Sequence, residues 1–358
     1  MRANTWERQS SRSGILKNRM NRRRLCRTLK ALWGLLSVSW MIVVTTSPLA
    51  WSAELTSLGQ VTFTGHIAHD KDVSAICTTG EFLVIAADEG ALVQVLKREG
   101  EHYAVLQDVV LDTSGKELDI EGLACDGNAV YAVGSHSWKR DTVKADKSYT
   151  KNRAAIINIQ PEPSRDQVFR FTVDTEGQAS PIEKTSLRAM LDHDEIFHTF
   201  SHVPSKENGI DIEGIATRAQ RLYVGFRGPV LRDNYVPVVS FPFTNPVAQS
   251  TLLFVTLGGR GIRDLTAVEG GFLVLAGPVG DGPGSYQVYF WDGQDCLPGT
   301  RDTGQVGQCT LLGEVPAADE AKAEGITVVA EDDARYEVLI VFDGLKKGGA
   351  TRFRLPKR

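Results

Sequence analysis

The sequence predicts an all-β fold, a β-propeller with five blades, and three observations carry that expectation. One short segment returns five times, each return is followed by further strand-like runs, and 34 glycines against 4 methionines in 358 residues point to many turns. The best copies are Asp119-Ile120-Glu121-Gly122-Leu123-Ala124 and Asp211-Ile212-Glu213-Gly214-Ile215-Ala216. Looser copies read Asp72-Val73-Ser74-Ala75, Ile262-Arg263-Asp264-Leu265 and Ala323-Glu324-Gly325-Ile326. Such self-similarity marks repeat architectures, in which each repeat is one supersecondary unit.

In chain order, residues 1–52 read as a secretory signal peptide. A basic run, Arg22-Arg23-Arg24-Leu25-Cys26-Arg27, precedes the charge-free residues 31–50, and Ala50-Trp51-Ser52 offers the small-x-small pattern for cleavage after Ser52. The alternative is an uncleaved membrane anchor, since about 20 apolar residues span a bilayer. Residues 60–67 form a strand at the mature N terminus. Second strand-like runs follow each copy at 82–86, 129–133, 222–226, 272–276 and 337–342. Third runs lie at 92–96, 154–159, 236–241 and 286–291, and fourth runs at 103–107, 168–173, 252–256 and 308–312. These runs are rich in Val, Ile, Tyr and Phe and bounded by Gly, Asp and Asn, as strands are.

Propeller blades are four-stranded sheets around a channel. The last unit shows only three strands, so the N-terminal strand is expected to supply the fourth and close the ring, removing exposed edges. The 92 residues from Asp119 to Asp211 leave room for a sixth blade. A helical insertion near 185–201 is the preferred account of that gap, and a β-sandwich is the third choice of fold. Residues 53–358 then make one propeller domain, expected to be monomeric.

Ten of the 40 Lys and Arg but only one of the 44 Asp and Glu lie in residues 1–52, so residues 53–358 carry a net charge of −13. A body that acidic repels phosphate backbones and argues against nucleic-acid binding. Export leaves four cysteines in an oxidising compartment. Cys296 and Cys309 flank a polar, Gly-rich loop and are expected to be bridged, whereas Cys77 and Cys125 sit in apolar runs as buried thiols or a second bridge. The absence of Cys-x-x-Cys gives no sign of zinc or redox chemistry.

Strand direction places the candidate site. If each Asp-x-Glu-Gly segment starts an innermost strand, the ends of the second strands return beside those starts. Asp119, Glu121, Asp211, Glu213 and Glu324 then ring one mouth of the channel, with His136, Arg227, Arg263 and Asp264 among them. A ring of carboxylates raises its members' pKa values and needs a counterweight. A Ca²⁺ ion held by Asp119, Glu121, Asp211 and Glu213 would supply one, since calcium takes carboxylate and carbonyl oxygens. Pairing with Arg227, Arg260 and Arg263 is the alternative, and Asp side chains capping turn N–H groups is the third. No Gly-x-Ser-x-Gly elbow or phosphate loop is present.

The strings IEGLA, GSHSWKR, NRAAI, IDIEGIA, GFRGPVL, GGRGIRDL and AGP, spread from Asp119 to Trp291, resemble those of a bacterial family of unknown function expected to be propellers. More distantly, the Asp-x-Glu-Gly turns are similar to those of esterase-like phytase propellers, in which acids at the channel mouth bind calcium. That resemblance reaches Asp119, Glu121, Asp211 and Glu213. At the third copy this chain has Arg263 in place of the Glu.

The function expected is that of an exported, periplasmic or secreted, propeller binding a small polar or anionic ligand at its mouth, with calcium as a candidate cofactor. The alternatives are a calcium-dependent hydrolase such as a phosphoesterase, with His136 or Glu121 as base, and a protein-interaction propeller with apolar patches at the mouth. A membrane is expected only through the signal segment, if it is kept.

Overall fold

The computed structural model describes residues 54–280, 282–299 and 306–357; the signal segment lies outside the described residues. Five antiparallel sheets stand around a channel, and their innermost strands are Val73–Thr79, Ile120–Asp126, Asp211–Arg218, Gly261–Val268 and Lys322–Glu331. Each begins at one of the five sequence repeats, and each hairpins into a second strand: Phe82–Ala87, Ala129–Gly134, Arg221–Gly228, Gly271–Gly277 and Arg335–Asp343. Blades 1, 3 and 4 are completed by Leu92–Glu99 and His102–Val110, Tyr235–Phe241 and Thr251–Thr256, and Gln287–Trp291 and Cys309–Glu314. Blade 5 takes Thr351–Pro356 from the C terminus and Thr56–Gln60 from the N terminus, so the two ends of the chain close the ring.

The core is divided among the seams between blades. Val84, Val95, Leu123 and Phe169 fill the seam of blades 1 and 2, and Leu273, Leu275, Val338 and Ile340 that of blades 4 and 5. In blade 4 the Phe272 and Trp291 rings stack at 5.0 Å, with Tyr223 of blade 3 against both. Every blade therefore buries both faces, which is why its strands read as continuous apolar runs.

The structure departs from the sequence expectations in four places. The closing strand is Thr56–Gln60 rather than 60–67; beyond it the chain turns away and Thr62–Thr64 adds to blade 1, parallel to His102–Val110. Residues 154–159 are not a strand, because Tyr149–Ile157 is a helix capped by the Ser148 side chain. Val168–Thr172 becomes the third strand of blade 2 and Glu183–Thr185 its edge. Residues 185–201 hold no single helix. Arg188–His193 stops at Asp194, whose carboxylate accepts from Ile196 and Phe197 N–H and starts a separate turn at Phe197–Thr199. Finally, the disulfide is Cys77–Cys125, joining the inner strands of blades 1 and 2, whereas Cys296 and Cys309 are not disulfide-bonded. Cys77 and Cys125 sit at matching heights on adjacent strands, a proximity invisible at a separation of 48 residues.

Candidate functional site

Each inner strand carries a β-bulge near its start, and the bulge decides what faces the channel. The register slips across Ser74, Glu121, Glu213, Arg263 and Glu324 in the five blades. A bulge re-aims a side chain and is over-represented beside active sites. Five equivalent positions thus hold three carboxylates, a guanidinium and a hydroxyl. The next residue on each strand, Ala75, Gly122, Gly214, Asp264 or Gly325, lies against the neighbouring blade. A Cβ on Gly214 would meet Asp264 Cα at 2.9 Å, so the Gly of Asp-x-Glu-Gly is a packing requirement.

Asp264 takes the Gly position in blade 4 and is a clamp. It is fully buried and accepts N–H bonds from Leu265 and, across the seam to blade 5, from Ile326, both at 2.7 Å. Burial holds its carboxyl well above the usual range. Its predicted place among ligand-facing residues is therefore corrected. Ser74 does the same work between blades 1 and 2, donating to Ile120 O at 2.6 Å.

The mouth encloses a cavity of about 430 Å³ whose wall includes Asp88, Asp119, Glu121, Asp211, Glu213, Arg227 and Glu324. A groove of about 570 Å³ between blades 5 and 1, near Thr78 and Val328, includes none of the bulge residues. Arg227 reaches Asp211 and, at 2.9 Å, Glu213. Arg263, only 2% exposed, lies beneath and bridges Glu213 at 2.9 Å to Glu324 at 3.2 Å. Burial pushes Asp211 up to about 7 against the pull of Arg227, and Glu324 up to about 8 against that of Arg263. Asp119, held at a positive φ of 53°, is tied to Ser135 and, at 2.8 Å, to Arg165.

Glu121 stands apart. Among the described residues no hydrogen bond or ion pair reaches its carboxyl, although it sits in the middle of this constellation. Burial, then Asp119, Glu213, Glu324 and Asp211, hold its pKa well above the carboxylate range. Asp88, at the end of the second strand of blade 1, is raised to about 7 by burial and by Asp119, Asp343 and Asp72. Its Oδ1 is buried without a hydrogen-bond partner.

His136 does not join the site. Its ring is fully buried: Nδ1 lies 2.9 Å from Gly134 O, and Nε2 is 3.2 Å from Leu187 N, whose N–H it accepts. Burial pulls its pKa down to about 4, so the ring is a neutral structural brace rather than a base at the mouth. The flanking serines hold residues of the mouth instead: Ser135 donates to Asp119 and Ser137 accepts from Arg165.

Three participants escaped the sequence reading. Arg165 arrives on the connection that follows the blade 2 hairpin arm, and no spacing announces it. Lys322 and Asp343 pair at 2.8 Å, and their strand positions match those of the mouth residues in the other blades. They are the start of the fifth inner strand and the end of its second strand, opposite one another in register.

Calcium fits these residues poorly. A Ca²⁺ cage needs roughly six to eight converging oxygens, but Asp211 and Glu213 are turned to Arg227 and Arg263, and Asp119 to Arg165 and Ser135. Among the described residues no group of three or more carboxylate, His or Cys side chains is placed to hold a metal ion.

A family model described as "Protein of unknown function (DUF3616)" matches residues 72–352. No curated protein matches the chain. Similar solved structures include glutaminyl cyclase of Myxococcus xanthus, at 12% identity and a TM-score of 0.45 over 85% of this chain and 98% of that one. They also include the aldose sugar dehydrogenase of Streptomyces coelicolor, at 12% identity, a TM-score of 0.39 and the same coverage. An exo-β-1,3-galactanase of Phanerochaete chrysosporium matches at 9% identity and a TM-score of 0.43, over 85% of this chain and 64% of that one.

Proposed function

The chain belongs to the DUF3616 family, whose description assigns no chemistry, and we propose from the mouth itself that this propeller binds a small polar ligand through hydrogen-bond donors delivered to Glu121. One observation carries the reading: a carboxyl with no partner of its own, in a cavity of about 430 Å³, among Asp119, Asp211, Glu213 and Glu324, which are each paired with an arginine. Glu121 is only partly buried and lines the cavity, so its carboxyl is open to accept a donor from a ligand there. Eleven Asp and Glu but six Lys and Arg line that cavity. The excess favours amines and polyols over the anionic ligands also expected from sequence. A mouth lined by charge also speaks against apolar protein docking there. Export to the periplasm or beyond is part of the proposal, supported by the Cys77–Cys125 disulfide, a bond that persists in oxidising compartments.

Thermal melting with panels of small amines, polyols, phosphate and Ca²⁺ tests the reading. A ligand at a hundredfold excess over Kd stabilises the fold by about 2.7 kcal/mol. An amine or polyol should raise Tm, and Glu121→Gln should abolish the rise. A rise with Ca²⁺ or phosphate alone would replace this reading with the metal or anion one. The raised pKa of Glu121 also suits a general acid or base, which favours a hydrolytic reading second. Ester or phosphoester turnover lost in Glu121→Gln would promote it.

A further inference from the structure

The hairpin arm that blade 2 sends out between its second and third strands differs from the rest of the protein in charge and in packing. Residues 138–158 contain six Lys and Arg and two Asp, a net charge of +4, against −13 for residues 53–358 as a whole. Strands Trp138–Arg140 and Ile159–Pro161 pair antiparallel, and the helix between them, Tyr149–Ile157, buries no residue. Helices in proteins draw most of their stability from packing an apolar face, and one this short is marginal alone. Here the apolar side chains face outward: Tyr149 is 82% exposed, Ile157 66%, Ile156 47%, and Val143 just before the helix 49%. On a helical wheel Tyr149, Ile156 and Ile157 share an arc of about 100°, with Arg153 among them. Lys144 and Lys147 are exposed just before the helix, and Lys151 is exposed on the helix face opposite that arc.

The arm holds its shape through its own polar contacts. Asn152 accepts from Lys144 N–H at 3.1 Å and donates to Lys144 O at 2.8 Å. Asn158 and Gln160 donate to Asp141 at 2.7 and 3.1 Å, and Arg140 donates to Ile156 O and to Glu207. Trp138 packs edge-on against His202, with ring centres 4.6 Å apart. A surface shaped in advance loses less entropy on binding.

We propose that this arm docks the protein on an anionic lipid surface, laying Tyr149, Ile156 and Ile157 into the interface while Lys144, Lys147 and Arg153 meet the headgroups. Interfacial elements combine outward apolar and aromatic side chains with Lys and Arg, and anionic leaflets attract such basic segments. Arg153 reaches headgroups from within the apolar arc, as long basic side chains do. A second copy of the chain is a poorer receiver. Its acidic body suits the arm's charge, but the other exposed large apolar residues, Leu58, Leu106, Val110, Val247, Leu297 and Val306, are scattered over four blades. A bilayer offers negative charge and apolar depth in one place. Because Trp138, Lys139 and Arg140 also wall the cavity, docking brings the mouth close to the lipid.

Vesicle co-sedimentation of the whole chain tests the proposal, using phosphatidylcholine alone and phosphatidylcholine with about one third phosphatidylglycerol. Wild type should favour the anionic vesicles by about tenfold or more and lose that preference at high salt. Tyr149→Ser with Ile156→Ser and Ile157→Ser should abolish binding, and Lys144→Glu with Lys147→Glu should weaken it; both variants should keep the wild-type Tm, since they change exposed residues only. Equal binding to both vesicles, or unchanged binding by the Ser variant, overturns the proposal. So does a dimer that the Ser variant loses, which assigns the arm to a second copy. Capture by a soluble polyanion without vesicle binding points to an acidic macromolecule and overturns it too.

Discussion

At their starts the five inner strands crowd Glu121, Glu213, Arg263 and Glu324 into the channel, and at their ends the same strands bring together Cys77, Cys125, Thr78, Thr217 and Thr327 around only about 120 Å³. The far end closes because its side chains are short and its hydroxyls find carbonyls across the seams. Thr78 lies 3.3 Å from Val328 O, Thr217 3.4 Å from Cys125 O, and Thr79 2.6 Å from Gly127 O. The near end cannot close on long charged side chains, and arginines satisfy most but not all of its carboxylates. One end bonds its hydroxyls across the seams; the other keeps an open acid at its centre, and departures of that kind concentrate at functional sites.

The largest effect should come from breaking the charged end. Arg263→Met leaves Glu213 and Glu324 buried with one partner fewer, and removing one member of a buried pair costs about 3–5 kcal/mol. Denaturant melts should show it, and adding Glu213→Gln should recover part of the loss. A negligible change would mean that the near end is not held by its ion pairs. At the far end, Cys77→Ser with Cys125→Ser should cost about 2–4 kcal/mol, the usual range for a disulfide, and leave ligand responses at the mouth untouched. A loss of ligand response would show that the two ends are coupled.

The smallest effect is a pH dependence that belongs to the near end alone. Asp88 and Asp211 are raised to about 7 and Glu324 to about 8, with Glu121 raised as well. Acids with raised folded-state pKa values bind protons more readily folded than unfolded, so they stabilise fully below the ordinary carboxylate range. That contribution is lost as pH rises from about 4 through about 8. Tm should fall across this window, and Glu121→Gln should flatten the fall. At pH 8 the variant should melt above wild type. An unchanged slope would place the titrating proton on the other acids.

The five blades and the first two strands of each were legible in the chain because each is a local pattern repeated five times. The apolar runs follow from blades buried on both faces, and Asp-x-Glu-Gly encodes a turn, a re-aimed side chain and a seam too tight for a Cβ at Gly214. Lys322 and Asp343 occupy in the loose fifth copy the same strand-start and strand-end positions as the mouth residues of the other blades. The sequence by itself determined what repeats. Tertiary structure alone decided what the repeats touch: that Cys77 meets Cys125 across a seam, that His136 turns from the mouth to brace Leu187, that Arg165 arrives to hold Asp119, and that Arg263 spans two neighbouring blades and leaves Glu121 without a partner. Periodicity reports which face of a strand is buried. Pairing depends on which distant side chains the closed ring brings within about 3 Å of one another, the reach of a hydrogen bond, and no local pattern contains that distance.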